Sequence, residues 1–589
     1  VLLLCVPVEM GVTWGFVTDD SAYITFRCAH NLTAGRGLTY DSPLNSPPTS
    51  PLYTLVLWLP AALGMPLPQV GLILGILGWA ATVLAIYRLC QATHRSIAAI
   101  ASAALVALSP AFIPTLGTEI PWGVALAWIA VALSARERWG LQTGALVLML
   151  SLRFEISTLA IAVLLLSIRW IKYRRPPLKL TLAMVIVAIV WIGLATLGLA
   201  APLSPPHLDP TRWLDAIERL FDESDLYWLF PPAIGLGLFG LRKSPRVLWA
   251  GLLGLALIAL GGDAIAGALI ATLGLLLAVL GVDVLARTVL ETIKPRNVHT
   301  PLHQLALAAG VVLALTSPLA IAQTSSLLHH YRFRPTIRQV LERQAGDWLR
   351  AHSEPEASVL SSARVGFLAN RPTLPWQGDA SDAVAFAATV ETLVKSPPDY
   401  CVSYRDLHWD RMTRTGWFQD DYTSVLTFSS PHDTTSSLTI WRYTHAEKPQ
   451  PVEATFGDRI RLVSFAAAES LTSGQPLDVR LYWKALQPLE EDYIVFLHLL
   501  DSGGTLVASH DGPPRDRESP TSTWLPGDIV PDVHLVELEP NTPEGTYQLW
   551  VGIYTWPEIE RLPVRDRDGV EQINQTLFLH TIEVNSNGE

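Results

Sequence analysis

The residues able to do chemistry here are few and widely spaced. Asp19 and Asp20 stand side by side in VTDDSAYITFRCAHNLTAGRGLTY (17–40), directly after an apolar segment, and Tyr23 and Arg27 follow at helical spacing. Glu119 lies in LGTEIPW, Arg153 and Glu155 in SLRFEIS, and Asp263 in LGGDAI. Carboxylates can take a proton or orient a hydroxyl, and a guanidinium engages phosphate oxygens in pairs. The competing reading of TDDS is a helix N-cap, whose charge favours the positive helix end. The two roles are compatible, because one Asp can cap while its neighbour faces a substrate.

The elements that must position these residues are apolar helices. The 589-residue chain is 50% hydrophobic and only 16% charged, with a mean hydropathy of +0.31, which points to a membrane protein. Spans are expected near 1–17, 68–88, 96–115, 120–135, 141–152, 155–170, 180–202, 227–241, 246–262, 264–286 and 302–323, about eleven crossings of roughly 20 residues or fewer. Val1 falls inside an apolar run, so the first helix is expected to begin upstream, and no basic n-region or cleavage pattern marks a signal peptide. Basic loops at 87–95, 135–139, 169–179, 242–246 and 286–296 fall on one face, taken as cytoplasmic. Asp19, Asp20 and everything C-terminal to the spans then lie outside.

On that topology Asp19, Asp20, Glu119, Arg153, Glu155 and Asp263 all fall at outer helix ends, and Asp283 alone lies deep in a span. A secondary transporter places its ion and substrate groups near the midplane, within repeated halves. Neither feature is visible. Polar groups at an interface, with an apolar route beside them, suit an enzyme acting on a lipid-borne substrate. After Asp20, Tyr23, Arg27 and Asn31 share one side of an expected helix, Ile24, Phe26 and Leu32 supply apolar contacts, and Gly35 and Gly37 end it. YDSPLNSPPTSPLYTL (40–55) reads as an extended return to the membrane.

The net charge of −11 excludes a general nucleic-acid binder. Cys5, Cys28, Cys90 and Cys401 are too scattered for a zinc site or a disulfide framework and read as packing residues.

Four motifs in order, GFVTDDSAYITFRCAHNLTAGRGLTYD, TSPLYTLVLWLP, GTEIPW and LRFEIS, resemble the multi-spanning GT-C glycosyltransferases that use polyprenyl-phosphate-linked sugars, especially the arabinofuranosyltransferase-like and dolichyl-phosphate-mannose-transferase-like branches. The resemblance covers roughly the first 170 residues. Phe154 stands where the family usually has Pro, and no Arg-Phe pair follows GGD.

The resemblance implies an inverting transferase. It makes Asp19 the first choice and Asp20 the second for the catalytic base, with the pair also the place for a divalent cation if one is used. It points to Glu119, Arg153 and Glu155 as substrate-binding residues, to which Arg27, for the phosphate, and Tyr23, for a sugar face, are added. The implied donor is a polyprenyl-phosphate sugar, and the acceptor a glycan, glycolipid or protein outside the cell membrane. The alternatives are a flippase or transporter of lipid-linked glycans and a non-catalytic, membrane-anchored glycan-binding protein.

The expected fold is therefore an α-helical multi-span GT-C bundle over 1–331, with an outer catalytic loop at 18–51. A small extracytoplasmic α/β domain follows over 332–448, then an antiparallel β-sandwich over 452–586. RFRPTIRQVLERQAGDWLR (332–350) reads as an amphipathic helix, ASVLSSARVGFLANR and PDYCVSYRD as strands, and HAEKPQP (445–451) as a linker. Six short alternating runs from IRLVSFAA to TLFLHTIEV give the sandwich. Trp483, Trp524, Trp550 and Trp556 are candidates for a sugar-stacking platform, against the plainer reading of a sandwich core.

Overall fold

The computed structural model describes residues 20–40, 48, 50–92, 96–109, 115–153, 178–197, 337–375, 383–405, 407–430 and 433–586, with scattered helical positions in 158–165 and 269–283. Asp19, Glu155, Asp263, the spans at 1–17, 227–241, 246–262 and 302–323 and the outer loop 203–225 lie outside them. The chain divides into two compact units, Val1–Gln339 and Val340–Glu589.

The first unit is helical: α1 Asp20–Thr33, α2 Pro51–Ala62, α3 Leu67–Ala92, α4 Ser96–Ala107, α5 Ile120–Ala135, α6 Trp139–Leu152 and α7 Leu178–Thr196. Helix α1 forms where the spacing predicts it, and the chain then passes through Gly35 and Gly37 at φ of 75° and 91°, a region open to Gly at no steric cost. The extended reading of 40–55 fails at Pro51. Ser50 accepts a hydrogen bond from the Tyr53 amide, and Pro51 occupies the first turn, where its missing N–H costs nothing, so α2 starts there.

Helix α3 is long and apolar enough to cross a membrane, and several shorter apolar helices accompany it among the described residues. Leu72, Ile76, Trp79 and Ile86 face the core of the unit, whereas Ile73, Leu77 and Leu84, four and seven residues apart, form an exposed apolar stripe. Helix α7 likewise exposes Ile186, Ile189 and Val190. A helix apolar on both faces is stable only inside a large core or against lipid.

Close packing against α3 depends on glycine. A Cβ at Gly78 would stand 2.9 Å from the Pro121 carbonyl carbon, and one at Gly75 3.2 Å from the Gly117 nitrogen. The 116–122 backbone thus lies directly on the Gly71, Gly75 and Gly78 face. Gly78→Ala is expected to lower stability by about 1–3 kcal/mol, because backbone cannot yield as a side-chain tip can. Thermal unfolding in detergent reads this, and an unchanged midpoint would contradict the packing.

The second unit begins within α8, Ile337–His352, amphipathic as its sequence predicts. Strands β1 Val359–Ser361, β2 Thr373–Pro375, β3 Tyr400–Tyr404, β4 Tyr422–Ser430 and β5 Asp433–Tyr443 form a sheet in the order β2-β1-β3-β5-β4. Helices α9 Ala363–Ala369, α10 Ala383–Lys395, α11 Leu407–Thr413 and α12 Gly416–Asp421 connect these strands. Residues 357–371 are thus a three-residue strand followed by a helix rather than a longer strand. Ser362 caps α9 by accepting from the Val365 amide, and Asn370 ends it in the left-handed region.

Two five-stranded sheets follow. One has the order β11-β10-β13-β15-β8 and the other β12-β9-β7-β6-β14. Their strands are β6 Gln450–Phe456, β7 Ile460–Ala467, β8 Ser470–Thr472, β9 Leu477–Ala485, β10 Tyr493–Leu500, β11 Leu506–Gly512, β12 Ile529–Val536, β13 Gly545–Thr555, β14 Val564–Arg565 and β15 Leu577–Asn585. Inward residues of both sheets share one buried core that includes Leu481, Trp483, Leu497 and Val551. All pairings are antiparallel except that of β15 with β8. The expected linker ends early, because Gln450 already pairs with Phe465.

Charged contacts tie the α/β part to the sandwich. Glu391 of α10 meets Lys484 of β9 and, at 3.2 Å, Lys395, which itself reaches Glu453 of β6. Burial pushes the Glu391 carboxyl up, but hydrogen bonds and charge from Lys484 and Lys395 outweigh it and hold the group below its ordinary 4.5. A carboxyl depressed in the folded state stabilises above its unfolded pKa and loses that contribution as pH falls through the folded one. Urea midpoints are therefore expected to fall below about pH 4.5, less steeply in Lys484→Met. Identical slopes in the two proteins would remove this pair as a source of acid sensitivity.

Candidate active site

Three of the four sequence motifs meet in the first unit. Ser50, at the head of α2, donates from its hydroxyl to the Leu152 carbonyl at 2.5 Å. Tyr53, one turn on, donates to the Gly117 carbonyl at 3.3 Å. Arg153, directly after α6, donates through Nη1 to Glu119 Oε1 at 3.0 Å. Residues 50–53, 117–119 and 152–153 are thereby bound into one cluster at the ends of α2, α5 and α6.

Local sequence explains each placement. Pro121 in the first turn of α5 and the turn at 115–119 start that helix after Glu119, whose carbonyl accepts from the Trp122 and Gly123 amides. Arg153 leaves α6 in an extended conformation at φ −153° and ψ 112°, and its carbonyl accepts from the Thr158 hydroxyl at 2.9 Å. Glu119 is 3% exposed and Arg153 20%. A carboxylate buried that far is tolerated because it is paired. The pairing of Arg153 with Glu119 is a link that spacing alone does not reveal, since the residues are 34 apart. The glycine spacing on α3 was the available signal.

Asp20 is half-buried in the first turn of α1, where a negative charge favours the helix end. Tyr23, Arg27 and Asn31 share one face of α1, as the spacing predicts, and that face is buried rather than wet. Tyr23 has no exposed surface and packs edge-to-face on Phe26 at 5.5 Å. In this conformation it supports the helix. Asn31 donates to the Thr39 carbonyl at 3.0 Å and folds the following loop back on the helix. Arg27 is only 2% exposed, so of the two candidate phosphate arginines Arg153 is the more accessible. The α1 residues and the Glu119–Arg153 pair stand on separate elements that communicate through α2, which packs on both α1 and α6. Among the described residues no group of three His, Cys, Asp or Glu forms a metal-ligand cluster.

The sandwich tryptophans separate into two kinds. Trp483 is fully buried and donates to Asp532 at 3.1 Å, and Trp524 is buried and donates to the Ser519 carbonyl at 3.0 Å. Both belong to the core and leave the expected platform. Trp550 packs on Phe578 at 5.4 Å, and Trp556 is 64% exposed.

The described chain thus joins an apolar helical unit, with a buried carboxylate–guanidinium pair at its helix ends, to an α/β and β-sandwich unit. Among solved structures it is similar to ArnT from Cupriavidus metallidurans in the apo state, at 13% identity over 75% of this chain and 96% of that one, with a TM-score of 0.45. It is also similar to the C-terminal domain of wzt, at 14% identity over 24% of this chain and 80% of that one, TM-score 0.16. A third likeness is to an endonuclease/exonuclease/phosphatase from Beutenbergia cavernae DSM 12333, at 14% identity over 27% of this chain and 35% of that one, TM-score 0.14. No protein-family model matches the sequence, and no curated protein matches it.

Proposed function

We propose that the protein is a multi-pass cell-membrane glycosyltransferase of the GT-C kind, moving a sugar from a polyprenyl phosphate to a hydroxyl of an extracytoplasmic glycan, glycolipid or protein. The observation that carries this reading is the cluster in which the Glu119–Arg153 pair and the Ser50 and Tyr53 hydrogen bonds join three resemblance-bearing motifs within the helical unit. The exposed apolar stripes of α3 and α7 support a lipid setting.

In the proposed reaction Asp19 accepts the proton of the acceptor hydroxyl as its oxygen attacks the anomeric carbon. The bond from that carbon to the phosphate oxygen breaks, the phosphate leaves with the electron pair, and the configuration inverts. Arg153 takes up the charge developing on the phosphate, and Glu119 holds the guanidinium in place. Asp20, beside the helix end, orients Asp19 or the acceptor, and Glu155 meets sugar hydroxyls. Of the acidic pair, the described residues include Asp20.

Incubation of the purified protein with radiolabelled polyprenyl-phosphate sugars and a glycan acceptor tests the proposal. The expected result is a labelled glycoside formed together with free polyprenyl phosphate. Movement of lipid-linked sugar across liposomes without any glycoside would replace the transferase with a flippase.

A further inference from the structure

We infer that the sandwich carries its own site for a neutral, hydroxyl-rich oligosaccharide, in a cleft at one end of the two sheets. The cleft has a volume of about 360 Å³, at the small end of ligand sites and suited to one or two sugar rings. It is lined by Asp458, Arg459, Glu491, Thr555, Leu562 and Arg565 among others.

The polar groups are held in place before any ligand arrives. Gly457 and Asp458 both have positive φ, 58° and 55°, and the Arg459 amide donates to the Phe456 carbonyl at 3.1 Å. That is the tight reversal expected of a hairpin turn whose two central residues are left-handed. It sets Asp458 at the cleft, where both its oxygens accept from Arg565 Nη1 at 3.0 and 2.9 Å. Arg459 donates to the hydroxyl of Tyr493, itself 1% exposed, at 3.1 Å. Groups fixed in this way lose little further freedom on binding.

The lining also selects the ligand's charge. Two guanidinium groups and two carboxylates line the cleft, so neither a phosphate nor a cation finds an excess of opposite charge. A sugar hydroxyl both donates and accepts, and this lining offers it carboxylate acceptors and guanidinium donors. Leu562 supplies an apolar surface for a ring face.

The test uses the full chain in detergent and fluorescently labelled neutral hexasaccharides of glucose, mannose, galactose and N-acetylglucosamine, with dextran sulfate as the anionic probe. Binding of at least one neutral hexasaccharide is expected, weakened about tenfold in Asp458→Asn and in Glu491→Gln, each of which turns one carboxylate acceptor of the cleft into an amide donor. Asn tolerates the left-handed turn, and Gln replaces the exposed Glu491 at the same size, so both variants are expected to keep the wild-type melting temperature. The inference is overturned if no neutral hexasaccharide binds, if neither folded variant weakens binding, or if dextran sulfate alone binds.

Discussion

Asp19→Asn is expected to lower the rate of sugar transfer by at least about 100-fold, the usual contribution of a positioned general base, while leaving the affinity for polyprenyl-phosphate sugar within a few-fold of wild type. The amide keeps size and hydrogen-bonding capacity but cannot take the acceptor proton. Asp20 lies in the first turn of α1, where its charge serves the helix end, so Asp20→Asn is expected to cost less in rate and more in stability. The pair of variants therefore assigns the two roles. Equal loss of transfer in both would mean the carboxylates act together, and undiminished transfer in Asp19→Asn would remove it as the base. Single-turnover rates at saturating acceptor, with donor binding measured separately, make the distinction.

Arg153→Ala is expected to have the other large effect. In the proposed reaction it removes the group that meets the phosphate, and it leaves the Glu119 carboxylate, 3% exposed, without the guanidinium. Removing one partner of such a pair costs about 3–5 kcal/mol, so the variant is expected to melt well below wild type as well as to lose transfer. Glu119→Gln separates stability from function. It retains a hydrogen-bond acceptor for Arg153 at reduced strength, and is expected to preserve folding while weakening use of the donor. A normal KM for donor in Glu119→Gln, with a well-folded protein, would contradict the role of Glu119 in orienting Arg153.

What could be read in the sequence follows from how local each signal is. Helix α1 was legible because its spacing and terminal glycines are contained in one short stretch, and the sandwich strands were legible because alternation is a property of each run alone. The strand read at 357–371 failed on a local competitor, the Ser362 cap, which turns an apolar run into a strand and a helix. The reading of 40–55 failed in the same way at Ser50 and Pro51.

The pairing of Glu119 with Arg153 was beyond local reading. It depends on Gly75 and Gly78 admitting the 116–122 backbone and on Ser50 reaching the Leu152 carbonyl. Burial was likewise not local. Trp483 and Trp556 look alike in sequence, yet one fills the core with its indole nitrogen on Asp532 and the other stands exposed. The polar face of α1 shows the converse: Tyr23, Arg27 and Asn31 share the side that spacing assigns, but only packing turns that side inward.

The proposed reaction is a single displacement at the anomeric carbon by an acceptor oxygen, with one carboxylate as base. The anomeric configuration of the first-formed glycoside, read by proton NMR against that of the polyprenyl-phosphate donor, tests it most directly. Inversion is predicted, because a single displacement leaves the new bond on the face opposite the departing phosphate. A product that retains the donor's configuration would require a second displacement on the enzyme, and would contradict the role of Asp19 as the base in a single displacement.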